Sequence, residues 1–298
     1  MLEFRTITIE DKPLVDRYLA LRNRIECNRN FATLFMWTKI YDQKLCEEDG
    51  WLYLKSKDAF YHPLGTGDIH QPVEKMLEYC RAQGQELVIW GNSPRERLEL
   101  EEAYPLEFSF REERDVYDYV YDAQKLATLA GKKLHGKRNH INRFEQDNPG
   151  WTFEPLGPHN LDDAYAMNAK WCELNDCQKT EGLREESCAV RSCFKNFEAL
   201  GLIGGLLRTP EHGVVAYSMA SLLGEHGVDV HIEKAFYTVQ GAYPMINREM
   251  VRHIMALYPQ VTLINREDDT GDEGLRKAKL SYYPDMLVEK ATATWIGS

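Results

Sequence analysis

The sequence lacks any long hydrophobic run. Its longest apolar stretch, at residues 200–207, is short and rich in glycine, whereas a helix that crosses a bilayer needs about 20 consecutive apolar residues. The first five residues, Met-Leu-Glu-Phe-Arg, also lack the apolar core of a signal peptide. These absences argue against a spanning segment, and we expect a cytoplasmic protein without integral membrane contact.

An even set of cysteines is missing too, since the chain has seven. An odd number in a chain of this size argues against a disulfide framework. Cys172 with Cys177, and Cys188 with Cys193, have a C-x4-C spacing at the edge of that of zinc ligands, but residues five apart face different sides of a helix. The acidic turn at residues 268–273 lacks the full spacing of an EF-hand loop. We therefore expect buried, reduced thiols and no metal site.

An excess of positive charge is absent as well. The formal net charge is −11, which argues against a general binder of nucleic acid or anionic membranes. Residues 131–144, the basic segment, depart from this balance with two histidines, no acid and five cations: Lys132, Lys133, Lys137, Arg138 and Arg143. This segment is either a solvated helix face or a site for a phosphate-bearing ligand such as RNA, a nucleotide or a lipid headgroup.

What is present is enough chain for two domains of about 150 residues each. A strand, a capping residue and an amphipathic helix open the chain at residues 3–21, and the same pattern recurs at residues 151–171. Asn148-Pro149-Gly150 is typical of a break between domains. We expect an N-terminal domain over residues 1–147, ending in the basic segment, and a C-terminal domain over residues 148–298, both of mixed α/β type.

The last quarter of the chain has the most informative order: strand, glycine loop, helix, strand, helix, strand. The strand at residues 228–236 would place His231 and Glu233 on one face. The loop that follows ends at Pro244, a residue favoured at the first position of a helix. Backbone N–H groups at such a helix start attract anions, and Gly241 can adopt a positive φ that lets a ligand approach the backbone closely. We therefore predict that the loop binds the phosphate or carboxylate of a donor through Gln240, Gly241 and Ala242.

Several blocks of sequence resemble an uncharacterised bacterial family that is grouped with the C-terminal domain of phosphatidylglycerol lysyltransferases. They are Gly131-Lys132-Lys133, Lys137 to Phe144, Gln240-Gly241-Ala242-Tyr243, Ile264-Asn265-Arg266-Glu267-Asp268 and Gly274 to Pro284. The resemblance covers nearly the whole chain. It implies a tandem pair of GNAT-like (acyl-CoA N-acyltransferase) domains with mixed sheets, related to the Fem-type aminoacyltransferases.

The resemblance also implies an activity: transfer of an acyl or aminoacyl group from coenzyme A or aminoacyl-tRNA to an amine or hydroxyl acceptor, with no tightly bound cofactor. GNAT enzymes that use acyl-CoA usually carry Gln/Arg-x-x-Gly-x-Gly/Ala at the pyrophosphate loop, whereas here Gln240 is followed directly by Gly241. Lipid lysyltransferases carry an N-terminal membrane portion that we do not expect in this chain, so a phosphatidylglycerol acceptor is not implied, although peripheral lipid contact is compatible with the basic segment.

Acyl transfer needs a base, oxyanion donors and an acid for the leaving group. We predict Glu233 as the base, His231 as a second candidate for that role and Tyr282 as the acid. The donor's phosphate or carboxylate would be held by further cations, namely Arg276, Lys279, Lys133, Lys137 and Arg138. Each of these residues also has a purely structural interpretation, as a satisfied strand residue, a core aromatic or a solvated charge. The alternative functions are a non-catalytic RNA- or nucleotide-binding module on a degenerate GNAT fold, and an inactive scaffold.

Overall fold

Within residues 1–297, two seven-stranded sheets organise the fold, each lying mainly in one of two structural units. The computed structural model describes residues 1–297. The first unit contains Met1–Tyr119, Glu267–Arg276 and the residues from Leu287 onward, and the second contains Val120–Arg266 and Lys277–Met286. Each unit therefore draws on more than one stretch of the chain.

Both units contain strands and helices. In chain order the strands are β1 (Arg5–Thr6), β2 (Gln43–Glu48), β3 (Trp51–Ser56), β4 (Ala59–Tyr61), β5 (Val88–Asn92), β6 (Phe108–Glu112), β7 (Asp118–Asp122), β8 (Thr152–Pro155), β9 (Ile203–Thr209), β10 (Gly213–Leu223), β11 (Gly227–Ala235), β12 (Leu263–Asn265), β13 (Met286–Val288) and β14 (Ala291–Trp295).

The α-helices are α1 (Lys12–Leu19), α2 (Phe31–Met36), α3 (Thr38–Tyr41), α4 (His70–Gln83), α5 (Pro94–Ala103), α6 (Ala123–Thr128), α7 (His135–Asp147), α8 (Leu161–Leu174), α9 (Glu181–Lys195), α10 (Phe197–Leu200), α11 (Ala242–Leu257) and α12 (Glu273–Leu280). Within residues 1–297, none of the helices is both long enough and apolar enough to cross a membrane.

The two sheets exchange strands between distant parts of the chain. The first sheet has the order β1-β2-β3-β4-β5-β14-β6, so the last strand lies between two strands of the first half. The second has the order β13-β7-β12-β11-β10-β9-β8, so β7 joins a sheet otherwise built from later residues. The break at Asn148-Pro149-Gly150, where the sequence suggested a domain boundary, follows α7 inside the second unit.

Helical spacing of apolar residues explains how the helices cover these sheets. In the first unit, Val73, Met76, Leu77 and Cys80 form one face of α4, and all four are buried. In the second unit, the same spacing at Ile246, Met250 and Ile254 gives the buried face of α11. Leu257 continues that spacing but is 53% exposed because it is the last residue of the helix.

A buried ion pair in the first unit joins Lys290, just before β14, to Asp118. Its Nζ lies 2.5 Å from Oδ1, and both side chains are 0% exposed. Burial lowers the pKa of Lys290, but attraction to Asp118, Cys27 and Asp268 together outweighs it and the net shift is upward. Cys27 donates its backbone N–H to Asp118 over 2.8 Å. Cys27, Asp118 and Asp268 also group closely enough to hold a cation, and the Lys290 ammonium, 3.3 Å from the Cys27 sulfur, already supplies positive charge there.

Candidate active site

A gap between two parallel strands forms the site in the second unit. β11 and β12 pair in parallel from Gly227 opposite Leu263 to Asp229 opposite Asn265. β12 then ends, while β11 continues to Ala235. The edge of β11 beyond Asp229 therefore lies past the end of its parallel neighbour.

An ion pair crosses this gap. Glu233, on the extended part of β11, accepts a hydrogen bond of 2.8 Å from the guanidinium of Arg266, the first residue after β12. Its other carboxylate oxygen accepts a hydrogen bond of 2.9 Å from the side chain of Asn247 on α11. The side chains of Glu233 and Arg266 are 10% and 12% exposed. Both oxygens of Glu233 are thus engaged, which is the geometry of a residue that positions a cation.

Tyr282 and Lys137 complete a group that we name the cleft cluster: Glu233, Asn247, Arg266, Tyr282 and Lys137. The Lys137 ammonium lies 3.9 Å from the centroid of the Tyr282 ring, and the Arg266 guanidinium lies 4.9 Å from it. Cations bind to aromatic faces through the ring quadrupole. Burial raises the pKa of Tyr282. Burial and then the neighbouring Arg266 lower the pKa of Lys137 to about 8, and Glu233 opposes this only in part.

Hydrogen bonds from neighbouring elements fix the backbone of Arg266. Lys279 on α12 is buried and donates from Nζ to the Arg266 carbonyl over 2.6 Å. The Tyr121 hydroxyl on β7 donates to the Lys279 carbonyl over 2.8 Å. Lys279 was predicted to hold a donor anion. Its ammonium instead binds the backbone carbonyl oxygen of Arg266, a member of the cleft cluster.

The glycine loop is packed against a helix. Gly241 has φ 81°, as expected for glycine at this turn. A Cβ placed on it would come within 2.1 Å of the His140 carbonyl oxygen and 2.9 Å of Cβ of Phe144, both on α7. The N–H of Ala242 donates to the Val239 carbonyl. The conformation predicted for Gly241 is therefore present, and the close approach that requires a glycine comes from α7.

Gly241→Ala should lower the free energy of unfolding by about 1–3 kcal/mol, because a methyl group there overlaps a helix carbonyl. Gly136→Ala is the control, since a Cβ on this α7 glycine meets no atom within 4 Å, and we expect a gain of about 0.5–1 kcal/mol. Urea unfolding of both variants measures this difference. Equal stabilities of the two variants would contradict the close packing of Gly241 against α7. Because of the same overlap, Gly241→Val would destabilise the fold, so a loss of donor binding in that variant would not by itself locate the donor site.

The family model described as "Phosphatidylglycerol lysyltransferase, C-terminal" matches residues 19–294. The chain belongs to this family. Among curated proteins it is similar to an uncharacterized protein of Mycoplasmoides gallisepticum, with 24% identity over 180 residues that cover 58% of this chain. The match spans about half of that relative's own length, 54%.

Solved structures agree with this assignment. A conserved protein of unknown function from Bacteroides thetaiotaomicron is 36% identical, with a TM-score of 0.94 over 99% of this chain and 100% of that one. The structure of L-PGS from Bacillus licheniformis is 14% identical, with a TM-score of 0.63 over 95% and 91% of the two chains. A tandem GNAT protein from the clavulanic acid biosynthesis pathway is 12% identical, with a TM-score of 0.50 over 99% and 98%.

The fold of the chain is thus a tandem GNAT-like α/β fold with two mixed sheets, as the sequence predicted. FemX shares it, at 12% identity and a TM-score of 0.53 over 99% of this chain and 97% of that one. The comparisons thus establish the family and the fold.

The predicted site residues fall into two groups in this family member. Glu233, Tyr282 and Lys137 lie in the cleft cluster, and Lys279 adjoins it. His231 is buried beside Ser221, with Nε2 2.8 Å from Oγ, and lies outside the cleft cluster. Arg276 is in the first unit, where its guanidinium binds the carboxylates of Asp269 and Asp115.

Fewer cations of the basic segment are available to bind a ligand than its sequence indicates. Arg138 donates to the Leu129 and Gly131 carbonyls, and Arg143 pairs with Asp147 over 2.7 Å. Lys132 and Lys133 are exposed, and the Lys133 ammonium lies 5.3 Å from the centroid of the Tyr283 ring. Gln240, predicted to bind the donor, is also exposed.

Sequence reasoning missed Arg266 and Asn247, which hold Glu233. Arg266 lies in one of the blocks that carried the family resemblance, but an arginine after a short strand has no sequence signal that names its partner. Asn247 was hidden in the first turns of α11, where an asparagine is unfavourable unless its side chain is bonded. That poor helix propensity was the one local signal that could have drawn attention to it.

Proposed function

We propose that this protein transfers an aminoacyl group from aminoacyl-tRNA to an amine or hydroxyl acceptor at the cleft cluster. The observation that carries the proposal is the hydrogen bonding of the Arg266 guanidinium. Its Nη2 is bonded to Glu233, whereas its Nη1 is buried and has no hydrogen-bond partner within the described residues. A buried N–H without a partner costs free energy. The N–H groups on Nη1 are therefore suited to bind a negative charge that appears only during the reaction.

Acyl transfer produces such a charge on the carbonyl oxygen of the tetrahedral intermediate. Donors fixed in advance in a dry site stabilise this oxyanion, and removal of one donor typically costs a factor of about 10²–10³ in rate. The ion pair with Glu233 and the hydrogen bond from Nζ of Lys279 to the Arg266 carbonyl hold Arg266 in place. We assign Arg266 the role of oxyanion donor and Glu233 the role of positioning it.

Three features favour aminoacyl-tRNA over acyl-CoA as the donor. At the start of α11, the N–H of Ala242 is used by Val239 and Pro244 has no N–H, so two early helix positions cannot donate to a pyrophosphate. The exposed Lys132 and Lys133 can instead contact phosphates of an RNA strand. The family description names a lysyltransferase, which supports an aminoacyl group as the unit that is moved.

The test offers labelled aminoacyl-tRNAs and labelled acetyl-CoA separately to the purified protein, with mixed amine and hydroxyl acceptors, and follows label in the product. We expect transfer from at least one aminoacyl-tRNA and none from acetyl-CoA. Transfer from acetyl-CoA alone would overturn the choice of donor. Binding of tRNA without any turnover would favour the non-catalytic module that the sequence left open.

A further inference from the structure

We infer that Lys137 is the general base that takes the acceptor's proton, an inference that rests on the acyl transfer proposed above. Lys137 is the third residue of α7 and is half-buried. From the sequence, Lys137 was predicted only as one of the basic-segment cations that would hold the donor's phosphate or carboxylate. Its surroundings support a different role.

The partners of Lys137 distinguish it from its neighbours on α7. Arg138 donates to backbone carbonyls and Arg143 pairs with a carboxylate. The Lys137 ammonium instead lies 3.9 Å from the centroid of the Tyr282 ring. The charged and titratable groups that act on it are Arg266, Glu233 and Tyr282 from the opposite elements. An aromatic face attracts an ammonium but carries no net negative charge, so burial and the positive charge of Arg266 are opposed only in part.

Electrostatics agree with that geometry. Burial is the larger cause, and repulsion by Arg266 the second, of a Lys137 pKa lowered to about 8 from the ordinary value near 10.5. A useful base has a pKa near the working pH. Since the neutral amine is the basic form, the rate should rise as the pH increases through about 8. Glu233 is less suited to this task because both of its oxygens accept hydrogen bonds.

The reaction step balances without any further reactant. The acceptor's nitrogen or oxygen attacks the ester carbonyl carbon of the aminoacyl-tRNA while its proton moves to Nζ of Lys137, which becomes an ammonium. The negative charge on the carbonyl oxygen faces Nη1 of Arg266. The intermediate then collapses, the bond from the carbonyl carbon to the ribose oxygen breaks, and that oxygen takes the proton from Lys137. The lysine ends the cycle neutral.

One experiment measures the lysine itself, apart from activity. Trace acetic anhydride acylates only neutral amines, so the labelling of Lys137 as a function of pH, followed by peptide mass spectrometry, reports its protonation in the native protein. We expect a midpoint near pH 8 in the wild type and an upward shift in Arg266→Met, which removes the neighbouring positive charge. A wild-type midpoint near that of an ordinary lysine, about 10.4, would overturn the inference.

The second experiment measures aminoacyl transfer by Lys137→Ala, Lys137→Arg and the control Lys170→Ala. Lys170 also has its ammonium over an aromatic ring, that of Phe236, but it is exposed on α8 and outside the cleft cluster. We expect Lys137→Ala and Lys137→Arg to lose a factor of about 10²–10⁴, while Lys170→Ala keeps the wild-type rate and pH profile. Small primary amines added to Lys137→Ala should restore part of the rate, in proportion to their basicity.

The outcomes separate the base from the function on which it depends. Wild-type rates in Lys137→Arg would show that only the positive charge matters, and the base role would be wrong while the transfer stands. A lack of rescue together with an unchanged pH profile in Lys137→Ala would lead to the same conclusion. No transfer by the wild type from any aminoacyl-tRNA would overturn the proposed function and the base role with it.

Discussion

Arg266→Met should abolish measurable aminoacyl transfer and lower the free energy of unfolding by about 3 kcal/mol. The variant leaves the Glu233 carboxylate, 10% exposed, without its cationic partner, and breaking a buried ion pair typically costs about 3–5 kcal/mol. We take the lower end because both side chains keep slight access to water. Activity falls further because the proposed oxyanion donor is lost together with the pair. Urea unfolding and single-turnover transfer measure the two effects.

The double variant Arg266→Met with Glu233→Gln is the control for stability. Because it removes both charges, we expect it to recover much of the free energy of unfolding but none of the activity. Recovered activity would show that Arg266 serves only to neutralise Glu233. An Arg266→Met protein as stable as the wild type would contradict the ion pair itself.

Lys290→Met should destabilise the first unit by about 3–5 kcal/mol, the usual cost of leaving a buried charge without its partner. Asp118 and Lys290 are both 0% exposed, so water cannot replace the missing ammonium. The pair also joins the residue before β14 to the start of β7. Loss of the ion pair should therefore weaken the pairing of β14 with β5 and β6. Hydrogen exchange of the amides of β14 and β5 measures this loss directly.

Asp118→Asn combined with Lys290→Met provides the matched comparison. An apolar and a neutral polar residue replace the two charges, and replacement of a whole buried pair is often close to neutral. We expect the double variant to be more stable than Lys290→Met alone. If it is less stable, the hydrogen bond from Cys27 to Asp118 contributes more than the ion pair.

Local features of the fold were predictable because their causes lie within a few residues. Ser93, Pro94 and Glu96 predict a helix start, and α5 begins there with its capping box formed. The buried face of α4 follows from the spacing of its apolar residues. The family resemblance carried the tandem GNAT fold, which no local pattern specifies.

The strand exchange could not be predicted, because pairing of β14 with β5 joins residues about 200 positions apart and depends on which sheet edge is open. The cleft cluster has the same difficulty. Glu233 was recognisable as a polar residue on an apolar strand, but its partner Arg266 lies 33 positions further on. For Gly241 the sequence indicated the positive φ correctly, yet it contains nothing to say whether a ligand or a helix approaches the backbone.

The most direct test of the account is hydrogen exchange of the wild-type protein with a stable aminoacyl-tRNA analogue whose amino acid is joined to the 3′ end through an amide. Uncharged tRNA is the reference. We expect only the charged analogue to slow hydrogen exchange of the backbone amides at residues 230–235, the part of β11 beyond the end of β12. Equal exchange with both RNAs, or protection confined to the first unit, would contradict an aminoacyl site in this cleft.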